Sequence, residues 1–327
     1  MKQFFFLLVL FVSANCLFAE TEEIIFVTVD GQSDQLGTSW NEPTSLHAAC
    51  QRAEAGDKIW IAAGVYFPGQ DRESYLQLQS GVEVYGGFAG FESDLNQRSI
   101  QQNVTVLSGD IGVANEAKDN SYTIMYLAGV DKGTIIDGLV FRAGAAKGYS
   151  EDRTPHTAGA AIYIDGGQGP TVRNCTFDGN VARYGGAVYV NGLNSNSGPT
   201  FNNCMFVNNG ADFKGGAIYN SGENGVANTV LQGCQFVGNS SDYGAAILNN
   251  GTSGESSPLI LNCQFMKNYS ISAGAVVYNL IKGTNGKAEP VINNCELLEN
   301  GSILGNDVAR HQNPTAHVQP TTTPNQR

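Results

Sequence analysis

The stretch from residue 138 to 220 gathers Arg142, Lys147, Arg153, His156, Arg183 and Lys214 around three tyrosines, Tyr163, Tyr189 and Tyr219. Elimination on a uronic-acid polymer needs a cation to neutralise the sugar carboxylate and a base to take the neighbouring proton. Lys, Arg, His and Tyr are the usual carriers of those roles. Arg142, His156, Arg183 and Lys214 are therefore the catalytic candidates. Arg183 and Lys214 each precede a Gly-Gly pair in consecutive repeats, which predicts similar turns on adjacent layers. No spacing among these groups is specific to a catalyst, and the same residues also read as solvated turn positions.

The tyrosines carry a second chemistry. Each follows an aliphatic residue, Ile162, Val188 or Ile218, in a short strand-like segment, so alternation turns the tyrosines away from the core. Stacked about 4.8 Å apart they form an outward row, a platform for sugar rings or simply a self-stabilising aromatic stack. Lys147 and Arg153, basic groups of the same middle stretch, join Tyr163, Tyr189 and Tyr219 as candidate ligand-binding residues.

Other motifs carry less. Asp110 in Gly109-Asp-Ile-Gly112 could offer calcium one carboxylate, whereas calcium takes six to eight oxygens. His47, His156, His311 and His317 have no metal-ligand spacing, and neither a Ser-His-Asp arrangement nor a phosphate loop occurs. No cofactor is evident beyond possible calcium. Charge narrows the partners. Residues 20–137 hold 6 Lys+Arg against 18 Asp+Glu (−12), residues 138–220 hold 6 against 5 (+1), and residues 221–310 hold 4 against 7 (−3); with Lys2 and Arg327 the total is −12. Nucleic acid and anionic membrane surfaces are disfavoured, and only the middle of the chain does not repel an anionic polymer. A polysaccharide or surface glycan is the expected partner of a monomeric chain.

The elements that position these residues come from a repeat. Cys175, Cys204, Cys234, Cys263 and Cys295 are separated by 29, 30, 29 and 32 residues. Around them stand Pro170-Thr-Val-Arg-Asn-Cys175-Thr-Phe177, Pro199-Thr-Phe-Asn-Asn-Cys204-Met-Phe206 and matching copies. Such a period marks a solenoid in which each cysteine is the same structural position, a packed thiol and not a disulfide half. Alternation places Cys and Phe on one core-facing strand, with Asn180, Asn209, Asn239, Asn268 and Asn300 predicted to take left-handed backbone at the next turn. A second strand follows at Gly185-Gly-Ala187, Gly215-Gly-Ala217, Gly244-Ala-Ala246 and Gly274-Ala275. Two short strands per repeat, stacked in parallel, predict an all-β fold, a right-handed parallel β-helix over 57–310 with regular coils about 135–310. The separation of 20 residues from Phe141 to Ala161, against 10 or 11 elsewhere, predicts an inserted loop at about 145–157.

Upstream, residues 20–56 supply an N-terminal strand and a short capping helix at 44–55, whose Leu46, Ala49, Cys50 and Ala53 share one face and plug the open end of the coil. Lys2, the apolar run Phe4 to Val12 and the stretch to Ala19 read as a signal peptide over 1–19, so a secreted, extracellular or cell-surface location is expected. Residues 311–327, rich in Pro, Thr, Asn and Gln, read as a disordered tail.

The pairing of Gly-Gly-Ala-aliphatic with Phe-x-x-Asn resembles the repeats of chlamydial polymorphic outer-membrane proteins and, more widely, bacterial right-handed β-helix proteins of the pectate-lyase-like superfamily. It covers about residues 135–310. Gly37-Thr-Ser-Trp40, Gly56-Asp-Lys-Ile-Trp60 and Gly86-Gly-Phe-Ala-Gly90 look like the opening of exported members of that superfamily. The resemblance implies adhesion or surface display for the first relatives and polysaccharide cleavage for the wider superfamily. The tandem-aspartate hydrolase motif and the Arg-x-Pro-x-x-Arg lyase motif are missing. The primary expectation is an adhesin-like, carbohydrate-binding module; the alternative is a polysaccharide lyase on an anionic polymer.

Overall fold

The computed structural model describes residues 22–273, 275–300 and 302–308. The signal peptide and the tail read from the sequence lie outside the described residues. The chain winds as a parallel β-solenoid whose strands pair almost wholly with the coil before and the coil after. Each regular coil visits four sheets in turn. In one coil these strands are Thr171–Arg173 on sheet 1, Thr176–Asp178 on sheet 2, Val181–Tyr184 on sheet 3 and Val188–Asn191 on sheet 4. Among the described residues sheet 1 has nine strands, sheets 2 and 4 have eight each, and sheet 3 has five.

The sequence reading of two strands per repeat is thus corrected to four. Asn174, Asn203, Gly233, Asn262 and Asn294, one residue before each cysteine, adopt positive φ of 51 to 63° and break what reads as one strand into two. The phase of alternation changes at that corner, so Val172, Cys175 and Phe177 all reach the core. The next turn is also displaced from its predicted residue. Gly179, Asn208, Gly238, Lys267 and Glu299 take the left-handed conformation there. The following asparagines instead build a buried ladder. Each side-chain amide donates to the next one's carbonyl oxygen, Asn180 to Asn209 at 3.1 Å, Asn209 to Asn239 at 3.0 Å and Asn239 to Asn268 at 2.9 Å. The same nitrogens donate back to Phe141, Phe177 and Phe206 carbonyls at 2.9 to 3.0 Å. A buried amide is tolerable here because both ends are paired.

Inside the coil, Phe141, Phe177, Phe206, Phe236 and Phe265 stack with centroids 4.7 to 5.2 Å apart, close to the strand spacing itself. Each ring removed from water stabilises by about 1.5 to 3 kcal/mol. The cysteines run alongside as free, buried thiols, as the repeat predicts. At the N-terminal end, Ile24–Val27 already pairs with Lys58–Ala62, so sheet 1 begins ahead of residue 57. The cap is a helix (α1, Leu46–Arg52) whose N-cap Ser45 accepts a hydrogen bond from the Ala48 amide, and it buries Leu46, Ala49 and Cys50 in the same core as Ile25, Val27 and Ile59. The motifs Gly37-Thr-Ser-Trp40, Trp60 and Gly86-Gly-Phe88 converge outside sheet 1, where the Trp60 and Phe88 rings stack at 4.6 Å and Trp40 packs at 5.6 Å from Phe88.

Candidate functional site on the outer face of sheet 4

Parallel, in-register pairing puts Gln77, Tyr126, Tyr163, Tyr189 and Tyr219 in one column on the outer face of sheet 4. Their rings follow one another at 5.7, 5.0 and 5.2 Å, and Tyr75 extends the series at 5.3 Å from Tyr126. A second column two residues along is polar: Asp165, Asn191, Ser221 and Asn250. Asp165 ties the two columns together by accepting from the Tyr126 hydroxyl at 2.6 Å and from Asn191 at 2.8 Å.

The row is stacked as predicted, but it does not face solvent. Tyr163, Tyr189 and Tyr219 are only 4%, 2% and 0% exposed. The physical reason is the insertion, which leaves sheet 3 after Ala145–Ala146 and folds back over the tyrosines before rejoining at Ile162–Asp165. Arg153 is its anchor. Its guanidinium lies 5.9 Å from the Tyr219 ring centre, donates to the Tyr219 hydroxyl at 3.1 Å and pairs with Glu223. Asn250 donates to the same hydroxyl at 3.1 Å and to Glu223 at 3.3 Å, while the Tyr163 hydroxyl donates to the Arg153 carbonyl at 2.8 Å. Burial pushes the phenols of Tyr163, Tyr189 and Tyr219 above their ordinary range, so all three stay protonated at physiological pH.

Of the proposed catalytic groups, Arg183 and His156 meet at Gly148, whose carbonyl accepts from the Arg183 guanidinium at 3.4 Å and whose amide donates to the His156 carbonyl at 2.7 Å. Arg142 stands on sheet 2, in register with Ser108 and Asp178. Arg183 holds the inserted loop by donating to the carbonyls of Gly148, at 3.4 Å, and Ser150, and its guanidinium sits 5.2 Å from the Phe213 ring centre. Lys214 aligns with Tyr184 and not with Arg183, because sheet 3 is irregular there. The ring of His156 packs 4.8 Å from that of Tyr122 on the loop's far limb. Lys147 pairs with Asp212 at 2.8 Å, a loop staple like Arg153. The inserted loop uses Lys147, Arg153 and Arg183 as its attachments.

Two features went unread in the sequence. On sheet 1, Asp137 is 2% exposed and receives Arg98 at 2.8 Å, Arg173 at 2.6 Å and the Asn174 amide at 2.9 Å, a neutralised cluster that ties neighbouring coils. On sheet 4, Met125-Tyr126-Leu127 repeats the pattern of Ile162-Tyr163-Ile164, a signal that could have carried the tyrosine column one coil further. Asp110 closes a turn by accepting from the Asn115 amide at 3.0 and 3.2 Å. Among the described residues, no group of three or more His, Cys, Asp or Glu is placed to hold a metal ion.

The family described as "Right handed beta helix region" matches residues 80–265, more than half of the sequence. The chain belongs to the right-handed β-helix family. Among solved structures, this β-helix is similar to a pectate lyase, Pel9A, at 13% identity and a TM-score of 0.43, over 88% of this chain and 79% of that one. It is also similar to the polygalacturonase of Erwinia carotovora ssp. carotovora at 11% identity and a TM-score of 0.34, over 91% and 98%. Likeness at this level concerns the winding of the chain and not its chemistry. No curated protein sequence matches it. Among the described residues of this β-helix no helix is long and apolar enough to cross a membrane.

At its N-terminal end the tyrosine column emerges from under the loop into a cleft of about 590 Å³ between α1 and the first strands of sheet 4. Tyr75 and Tyr126 form its aromatic wall, with His47, Gln51, Gln77 and Gln79 around it. Cys50 also lines the cleft, but burial pushes its thiol up to about 12, so it offers no nucleophile at neutral pH. Burial and the bond to Asp165 likewise raise the Tyr126 phenol. The arrangement offers ring faces, glutamine amides and the His47 imidazole, which suits the binding of a hydroxyl-rich ligand.

Proposed function

We propose that this right-handed β-helix is an exported or cell-surface carbohydrate-binding protein, an adhesin-like module that holds a polysaccharide or surface glycan against the outer face of sheet 4. The observation that carries the reading is the tyrosine column itself, which runs unbroken from the buried Tyr219 to the partly exposed Tyr126 and Tyr75 and opens into a cleft. Aromatic faces flanked by groups that both donate and accept hydrogen bonds complement sugar rings, which present C–H faces and hydroxyl edges. The lyase alternative has less support, because Arg142 stands on sheet 2 and the Arg183 guanidinium is engaged in holding the inserted loop.

The test is incubation with a panel of immobilised neutral and anionic polysaccharides, scoring both retained protein and new unsaturated ends. Retention without products, weakened about 5- to 30-fold by Tyr126→Ala as one aromatic contact is lost, is the expected result. Unsaturated products, or retention indifferent to Tyr126→Ala at unchanged melting temperature, would overturn the reading.

A further inference from the structure

The cleft beside Tyr126 has a chemical bias of its own. None of the residues lining it is Asp, Glu, Lys or Arg. Its polar groups include the amides of Gln51, Gln77 and Gln79, the hydroxyls of Tyr75 and Ser80 and the imidazole of His47, with Gln51 and His47 within hydrogen-bonding distance of each other at 2.9 Å. An amide offers a donor and an acceptor side by side, which matches a sugar hydroxyl that also does both. A carboxylate needs more: a cation or several converging donors to replace its lost hydration. Three of the six cations in the middle of the chain are paired with carboxylates elsewhere, Arg153 on Glu223, Lys147 on Asp212 and Arg173 on Asp137. Meanwhile the carboxylate of Asp165 sits directly behind Tyr126. The cleft is built from residues of the segment 20–137, whose 6 Lys+Arg stand against 18 Asp+Glu, so a polyanion approaching it meets a repulsive field.

We infer that the Tyr75–Tyr126 cleft is a neutral-saccharide subsite that rejects uronate-type chains. This rests on the carbohydrate reading above and adds the class of ligand. The cleft volume falls in the range that holds small ligands, so it takes a short stretch of glycan and not a single water-sized guest. The Tyr126 hydroxyl is already engaged with Asp165 and its ring packs between Tyr163 and Tyr75, which leaves the exposed parts of the Tyr75 and Tyr126 rings for the sugar and the glutamine amides for its hydroxyls.

The experiment uses one acidic polysaccharide in two forms, native and with its carboxyl groups reduced to hydroxymethyl groups, so that backbone and linkage stay the same. The full chain should bind the reduced form about tenfold or more tightly than the native form at low salt, with the gap narrowing as salt screens the field. Gln77→Ala with Gln79→Ala should weaken binding of the reduced polymer, and Gln79→Lys should raise affinity for the native acidic polymer. Equal binding of both forms, or tighter binding of the acidic form, overturns the neutral subsite while leaving a carbohydrate-binding protein. Failure to bind either form, or any neutral glycan of the wider panel, sinks the parent reading as well. Melting temperature and far-UV circular dichroism of each variant separate lost binding from lost fold.

Discussion

At the residue scale the repeat cysteines show how one position serves the fold without chemistry. Cys175 donates weakly to the Arg173 carbonyl at 3.3 Å and Cys263 to that of Leu261 at 3.2 Å, and both lie in the apolar core. Burial pushes the Cys175 thiol up to about 12, and the neighbouring Cys234 thiol together with burial does the same for Cys263. The sign follows from linkage. The unfolded chain ionises these groups near 9.0 while the folded chain does not, so their contribution is complete below pH 9 and is lost as pH rises towards 12. Each such thiol withdraws ~1 kcal/mol per pH unit over that window. The melting temperature should therefore hold between pH 7 and 8.5 and fall from pH 9 upward, with a shallower fall in Cys175→Ala. Native protein should leave a thiol reagent unreacted at pH 8 and release its thiols only on denaturation. Finding two or more disulfides among the five repeat positions would contradict this account.

At the element scale the inserted loop decides what the tyrosine face can do. It has few apolar anchors, with Ala158 buried against the tyrosines, while Tyr149 near its tip is fully exposed at 103%. Most of its attachment is polar: Arg153 to Tyr219 and Glu223, Arg183 to two loop carbonyls, Lys147 to Asp212. Arg153→Ala leaves Glu223 and the Tyr219 hydroxyl with Asn250 alone and should cost about 1 to 3 kcal/mol of loop docking. The sheets beneath do not depend on it. Tyr163, Tyr189 and Tyr219 should then become accessible to a tyrosine-modifying reagent while the global melting temperature changes little. If modification stayed at the level of the tyrosines already exposed, Tyr149 and Tyr269 foremost, the loop would be held by something other than Arg153.

At the scale of the whole molecule, stability is distributed along a line, since each coil touches mainly its two neighbours. The phenylalanine stack is fully covered through Phe265, whereas its successor Leu297 is 37% exposed and Leu298 and Val291 are about half exposed. Removing a buried ring in the middle, Phe206→Ala, opens a cavity between two coils and should cost about 3 to 5 kcal/mol. Leu297→Ala should cost less than about 1.5 kcal/mol because the side chain is already partly in water. Hydrogen exchange should show the strongest protection in the coils around Phe177 to Phe236 and the weakest beyond residue 290. Equal costs for the two substitutions, or uniform exchange along the solenoid, would mean that the chain unfolds as one cooperative block.

Periodicity determined a good deal of this protein without any coordinates. The 29- to 32-residue spacing of the cysteines, the Phe two residues later and the tyrosines behind the glycine pairs are each local facts about which side of the backbone a residue occupies. Repetition makes such facts global, because in-register stacking carries Tyr163 onto Tyr189 and Tyr219 as surely as it carries Phe177 onto Phe206. The cap at Leu46–Arg52 was legible for the same reason, since an apolar helical stripe beside an open solenoid end has one place to go. What sequence could not decide was which outward residues remain outside. A left-handed Asn174 splits one apparent strand in two, and whether Asn180 turns or ladders depends on a partner a whole coil away. The insertion could fold to either side of its coil. Only the tertiary structure lays it over sheet 4, where it buries three tyrosines, engages Lys147, Arg153 and Arg183, and leaves the open end of the column at Tyr126. Exposure is a property of what lies above a surface, and what lies above this one is joined to it by contacts 66 and 70 residues apart in the chain.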